Sequence, residues 1–235
     1  MIRSRFHPAR DAAIALGAVL LFAWLAQMAS DGGVPAFDTA VRDAVHALAR
    51  PWLTVVMKAA SLVGGGWGLW PVGALTVAWL ARAGRGRDAV LFAIAVVGAN
   101  GVDEAVKLFF HRPRPEPWFG YPLPSTYSFP SGHAFVSFCF FLCLAEILIR
   151  GAWPLAGKVA MWSAALGCTL TIGLSRVYLG VHYPTDVLGG YAAGIVWITL
   201  IRVAHHVRLR RATVGGEENT FLANAPGAQG ESEKL

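Results

Sequence analysis

The chain has 235 residues, 55% hydrophobic and only 14% charged, with a net charge of +6. A water-soluble domain carries about 25% charged residues, so this composition excludes an ordinary one, and the length allows one large domain or two small ones. The basic excess does not point to nucleic acid, because it falls in clusters beside apolar runs.

The first apolar run covers residues 12–29 and follows Arg3, Arg5 and Arg10, as a secretory signal would. It ends in LAQMAS, with Gln27 where a small residue is wanted before a cut after Ala29, so a retained helix is expected. Residues 34–50 place apolar side chains at helical spacing opposite Asp38, Arg42, Asp43 and Arg50. That pattern predicts an amphipathic helix, lying on the membrane surface or packed on the bundle. The stretch 51–83 is too long for one plain span and is interrupted by GGGWG (Gly64 to Gly68). A short interfacial or re-entrant helix before the glycines and a full span after them are expected.

Further apolar runs cover 68–83, 88–110, 132–150, 156–174 and 184–203, most near the ~20 residues that cross hydrocarbon. The expected fold is all-α: an integral membrane bundle of six transmembrane helices, with the short amphipathic segment between the first two. Residues 1–211 form this domain, and 212–235, rich in Gly, Glu, Ala and Asn, are expected to be a disordered cytoplasmic tail. Cys139, Cys143 and Cys168 all fall within spans at no metal-binding spacing, and are expected as small core residues without a disulfide.

Six spans put Arg3, Arg5 and Arg10, then Arg82, Arg85 and Arg87, then Arg150 and Lys158, then Arg202, Arg208, Arg210 and Arg211 on one side. The positive-inside rule makes that side cytoplasmic, with both termini on it. The opposite side nevertheless carries Lys107, Arg112, Arg114 and Arg176 near span ends. One such cation could reach the interface alone; four beside two histidines point to a shared anionic ligand.

Three clusters lie on that face. In KLFFHRPRP, Pro113 and Pro115 end the third span, leaving Lys107 on the helix and Arg114 on the loop. Asn100, Asp103, Glu104 and Lys107 share one helical stripe, which should face the bundle interior, and Asp103 is placed to pair with Lys107 at i+4. In FPSGHAFVSF, Pro130 and Ser131 suit a helix start, whose free N–H groups attract an anion. Gly132 allows close backbone approach there, and His133 follows at the water boundary. In SRVYLGVHYPTD, Pro184 opens the last span, and a bond from His182 to Asp186 would fix the ring tautomer and leave the other nitrogen as a nucleophile. Taken singly, each cluster has a plain structural reading: a neutralised lysine, a helix cap, a carboxylate at a helix dipole.

Together, Lys107–x6–Arg114–Pro115, Pro130–Ser131–Gly132–His133 and Ser175–Arg176–x5–His182–x3–Asp186 resemble the three-part signature of the type 2 phosphatidic acid phosphatase superfamily, over roughly residues 34–203. The apolar spans point to its membrane-bound lipid phosphatase branch rather than its soluble acid phosphatases and haloperoxidases. The resemblance implies that His182 attacks phosphorus, Asp186 holds His182, and His133 protonates the leaving oxygen and later activates water. It also implies that Lys107, Arg114, Ser131, Gly132 and Arg176 bind the phosphoryl oxygens. Neither metal nor cofactor is implied, and the face offers cations rather than a carboxylate cluster for Mg²⁺.

The implied partners are the bilayer and a membrane lipid phosphate, met on the periplasmic side of the inner membrane. Undecaprenyl pyrophosphate, phosphatidylglycerol phosphate, phosphatidic acid and lipid A phosphate all remain open. A lipid phosphotransferase using the same intermediate, and a lipid or anion transporter, are the alternatives. Trp118, Phe119 and Tyr121 could line a headgroup entrance or belong to the interfacial aromatic belt. Gly190 and Gly194 form a small-xxx-small pair suited to close helix packing.

Overall fold

A computed structural model describes residues 8–31 and 33–223. Every regular element among them is helical: α1 (Pro8–Ser30), α2 (Ala36–Ala47), α3 (Pro51–Gly64), α4 (Gly66–Arg82), α5 (Gly86–Phe110), α6 (Gly132–Leu148), α7 (Leu155–Tyr178) and α8 (Pro184–Ala223). The segments Ala9–Ser30, Gly86–Phe110, Leu155–Tyr178 and Pro184–Arg208 are long and apolar enough to cross a membrane. The 17 residues of α4 and of α6 give each about 25 Å at 1.5 Å per residue, slightly less than a full hydrocarbon core.

Helix α6 lies at the centre, packed on α5, α7 and α8, while α1 runs along α8. The core joins Phe92, Ala95 and Ala99 of α5 to Phe135, Cys139 and Phe140 of α6. The exterior carries exposed Leu20, Leu75, Val97, Leu170 and Leu200, as a surface meeting lipid requires. Gly190 and Gly194 serve the expected close packing: an added Cβ would stand 2.7 Å from the Ser131 carbonyl oxygen and 2.6 Å from the Phe138 ring.

Helix starts and stops follow local chemistry. Helix α5 ends at His111, which adopts the left-handed conformation at φ 50°, and Pro113 and Pro115 bar its continuation. Gly180, at φ 76°, closes α7 and admits the 116–118 loop, whose Trp118 N–H donates to the Leu179 carbonyl at 2.9 Å.

Several expectations change. Segment 34–50 is the packed alternative: α2 rests on α7 and α8, with Asp38 fully buried. The break in 51–83 falls at Gly65, so α3 reaches down to the level of His133 and α4 continues from there. Helix α8 runs through residue 212 to Ala223, because no proline follows Pro184 until Pro226. Residues 212–223 are therefore helical rather than disordered, and 224–235 lie outside the described residues. Arg3 and Arg5, and the side chains of Arg210 and Arg211, also lie outside them. Cys139 and Cys143 are core residues, whereas Cys168 is exposed on α7: an apolar span has an outward face, and a small thiol fits it.

Candidate active site

The C-terminal ends of α5 and α7 and the N-terminal end of α6 converge with the α3–α4 junction, the 111–131 loop and the turn before α8 around a cavity of about 240 Å³. Its walls include Lys107, Arg114, Gly132, His133, Arg176 and His182. Three separated stretches of chain thus meet at one point.

His182 is the best-defined member. Its Nδ1 lies 3.3 Å from Asp186 Oδ2, and its Nε2 lies 2.8 Å from Arg114 Nη1. A guanidinium can only donate, so Nε2 accepts and Nδ1 carries the proton, aimed at the carboxylate. Burial, then the charges of Arg114, Arg176 and Lys107, hold this imidazole well below its ordinary pKa of 6.5. The ring is neutral at neutral pH, in the tautomer a nucleophile needs. Asp186 lies behind His182, fixed by the Tyr183 N–H at 2.9 Å and Arg112 at 2.5 Å.

Arg114 is fully engaged. Nε donates to the Thr126 carbonyl at 2.6 Å. Nη2 donates to Thr126 Oγ1 at 3.0 Å and the Tyr127 carbonyl at 2.9 Å. Nη1 serves the Val181 carbonyl at 2.9 Å as well as His182. Burial, then the neighbouring charge of Arg176, pushes its pKa down to about 10.

Lys107 pairs with Asp103 at 2.5 Å, as its spacing predicts, and has Glu104 at 3.7 Å. Gly132 is required here, since an added Cβ would stand 2.4 Å from Asp103 Oδ2 and 3.1 Å from Lys107 Nζ. His133 lines the cavity with Nε2 facing Gly65, 3.2 Å from where a Cβ would be. Arg176 is held by Ser61 Oγ and by the Tyr121 hydroxyl at 3.1 Å. Ser131 does not reach the cavity wall. Its N–H donates to the Asp186 carbonyl at 2.9 Å, and its hydroxyl is buried without a hydrogen-bond partner.

One reading of the face needs correction. Arg112 is not part of a shared anion site: its guanidinium is buried between Asp38 and Asp186. The loop aromatics pack on the fold beside the site. Trp118 packs on His46 and Arg42, Phe119 stacks on Tyr178, and Tyr121 bonds Ser61 and Arg176. Asp38 and Ser61 escape sequence reasoning because their partners are 60 to 147 residues away.

The chain is similar to known proteins. Residues 88–210 match the PAP2 superfamily. Phosphatidylglycerophosphatase B of Bacillus subtilis is 30% identical over 186 residues, covering 78% of this chain and 90% of that protein. Undecaprenyl-diphosphatase of Sulfolobus acidocaldarius is 37% identical over 84 residues, 35% of either chain. The crystal structure of a transmembrane PAP2-type phosphatidylglycerolphosphate phosphatase from Bacillus subtilis superposes with a TM-score of 0.74 at 27% identity, covering 82% of this chain and 96% of that one. The family match over residues 88–210, with a relative 30% identical along most of both lengths, shows that the chain belongs to the PAP2 superfamily.

Proposed function

We propose that the chain is a lipid phosphatase that removes a terminal phosphate from a lipid of the phosphatidylglycerol phosphate class, through a phosphohistidine on His182. The observation that carries this reading is the His182 ring, with Nδ1 on Asp186 and Nε2 on the wall of a cavity lined by Lys107, Arg176 and His133. Nε2 attacks phosphorus, the ester P–O bond breaks, and His133 protonates the leaving oxygen. His133 then takes a proton from water, which attacks the phosphohistidine and frees inorganic phosphate. Phosphoryl transfer chiefly needs positioning and charge on the equatorial oxygens, which Lys107, Arg176 and the Gly132 N–H at the start of α6 supply. Arg114 joins them when an incoming phosphate draws Nη1 from His182, exposing the nucleophile's lone pair. A metal-independent reaction follows from a donor set of cations.

The substrate class follows the relative matched along most of its length. Local similarity to an undecaprenyl-diphosphatase supports a second reading, a polyprenyl diphosphate. In the membrane, α1, α4, α5, α6, α7 and α8 make six crossings. Arg82, Arg85, Arg87, Arg150 and Arg202 mark the cytoplasmic end and the site opens outside. Relatives named as phosphatases leave the transporter alternative without support.

The test is phosphate release by the purified chain in detergent with EDTA, across phosphatidylglycerol phosphate, phosphatidic acid, undecaprenyl diphosphate and lipid A. The highest kcat/KM is expected on phosphatidylglycerol phosphate. Preference for the polyprenyl diphosphate overturns the substrate class, and transfer to a lipid acceptor in place of water makes the chain a phosphotransferase.

A further inference from the structure

Asp38 lies on α2, outside the stretch that matches the family, yet its side chain is wholly buried beside the candidate nucleophile's support. Its carboxylate accepts from Arg112 Nη2 at 2.9 Å, from the Thr185 N–H at 2.9 Å and from Thr185 Oγ1 at 2.6 Å. Arg112 Nη1 reaches the other way, to Asp186 Oδ1 at 2.5 Å and Thr185 Oγ1 at 2.8 Å. The Asp186 oxygen left over, Oδ2, faces His182. The guanidinium also lies 4.3 Å from the Tyr183 ring centroid, so four residues from two segments hold it still.

The charges make this more than a brace. When Nε2–P forms and the ester P–O bond breaks, His133 gives its proton to the leaving oxygen. The His182 ring keeps its Nδ1–H and becomes cationic. Asp186 paired with Arg112 alone would be a neutral unit, poorly suited to stabilise that cation. Two carboxylates against one guanidinium leave one negative charge in excess. Other charges near the ring and its support are Lys107, Arg114, Arg176 and His133, and Arg42, whose guanidinium lies 5.4 Å from the Tyr183 ring centroid; the cavity's acids are Asp103, tied to Lys107, and Glu104, half-exposed and 3.7 Å from Lys107.

We propose that Asp38 is a positioning residue: by holding Arg112 it fixes Asp186 on His182 and supplies the surplus negative charge that stabilises the phosphorylated ring. The proposal rests on the assignment of His182 as nucleophile. It is tested by kcat, KM and pH profiles of the full chain in detergent for Asp38→Asn, Thr185→Val and His182→Ala. Asp38→Asn is expected to lower kcat about 10- to 100-fold, as loss of an orienting partner does, with KM nearly unchanged. It also moves the acid limb to lower pH, because a lost negative charge disfavours protonated His182. Thr185→Val keeps both carboxylates and is expected to lower thermal stability while the acid limb stays in place. Asp38→Ser gives the same readout if Asp38→Asn does not fold, and Asp38→Glu should restore the limb. A folded Asp38 variant with wild-type kcat or an unmoved limb, beside an inactive His182→Ala, overturns this proposal alone. An active His182→Ala overturns the assignment beneath it.

Discussion

At one end of the bundle Asp88 sits between Arg85, at 3.0 Å, and Arg150, at 2.5 Å; at the other Arg112 sits between Asp186, at 2.5 Å, and Asp38, at 2.9 Å. The inventories mirror each other, but the side chains of the first trio are 14–30% exposed and those of the second 0–3%. Partly solvated pairs contribute about 0–1 kcal/mol each, so the first trio fastens helix ends where water screens it. Removing one partner from a buried pair costs about 3–5 kcal/mol, and apolar residues would often hold such a place as well. A buried trio touching the candidate nucleophile's partner is therefore better explained by chemistry than by stability.

Substitutions that sharpen this contrast fall in order of size. His182→Ala should abolish phosphate release, by roughly 10⁴-fold or more, and trapping with labelled substrate should show no phosphoenzyme. Asp186→Asn keeps the shape but cannot hold the Nδ1 proton equally well, and should lower kcat by about 10³- to 10⁴-fold. Lys107→Gln leaves Asp103 buried without its cation. About 100-fold in kcat and a lower melting temperature are expected. The pH profile offers a finer measure. Because burial and Arg114 both disfavour protonated His182, the acid limb of kcat/KM should lie below pH 6.5, and Arg114→Gln should raise it. The same sign gives stability that falls with pH below 6.5, where the unfolded chain binds a proton the folded ring does not. At the far pole, Asp88→Asn should leave activity within about twofold, its pairs being partly solvated. A large loss there would break the contrast.

The long apolar helices were legible because each is written locally, in hydropathy and in terminators such as Pro113, Pro115 and Pro184. The His182–Asp186 and Asp103–Lys107 pairs were legible for the same reason, since four residues along a chain fix a geometry. What stayed hidden is what folding alone brings together. Asp38 reads as the polar face of an amphipathic segment until α2 is laid against α8. Arg112 and Arg114 stand two residues apart in one motif, and nothing local says that one binds carboxylates and the other the histidine. The helix past residue 212 was hidden because Gly215 and Gly216 weaken it in composition without ending it.

The five occupied N–H groups of Arg114 have a consequence for a protein surrounded by phospholipid. Ordinary bilayer headgroups are diesters with a single negative charge, whereas a terminal phosphate carries about −1.5 to −2. If an anion must outcompete a ring nitrogen for this arginine before chemistry can begin, the resting pocket works as a charge threshold. Abundant bystanders would pass without provoking it, and only the more highly charged headgroup would uncover the lone pair.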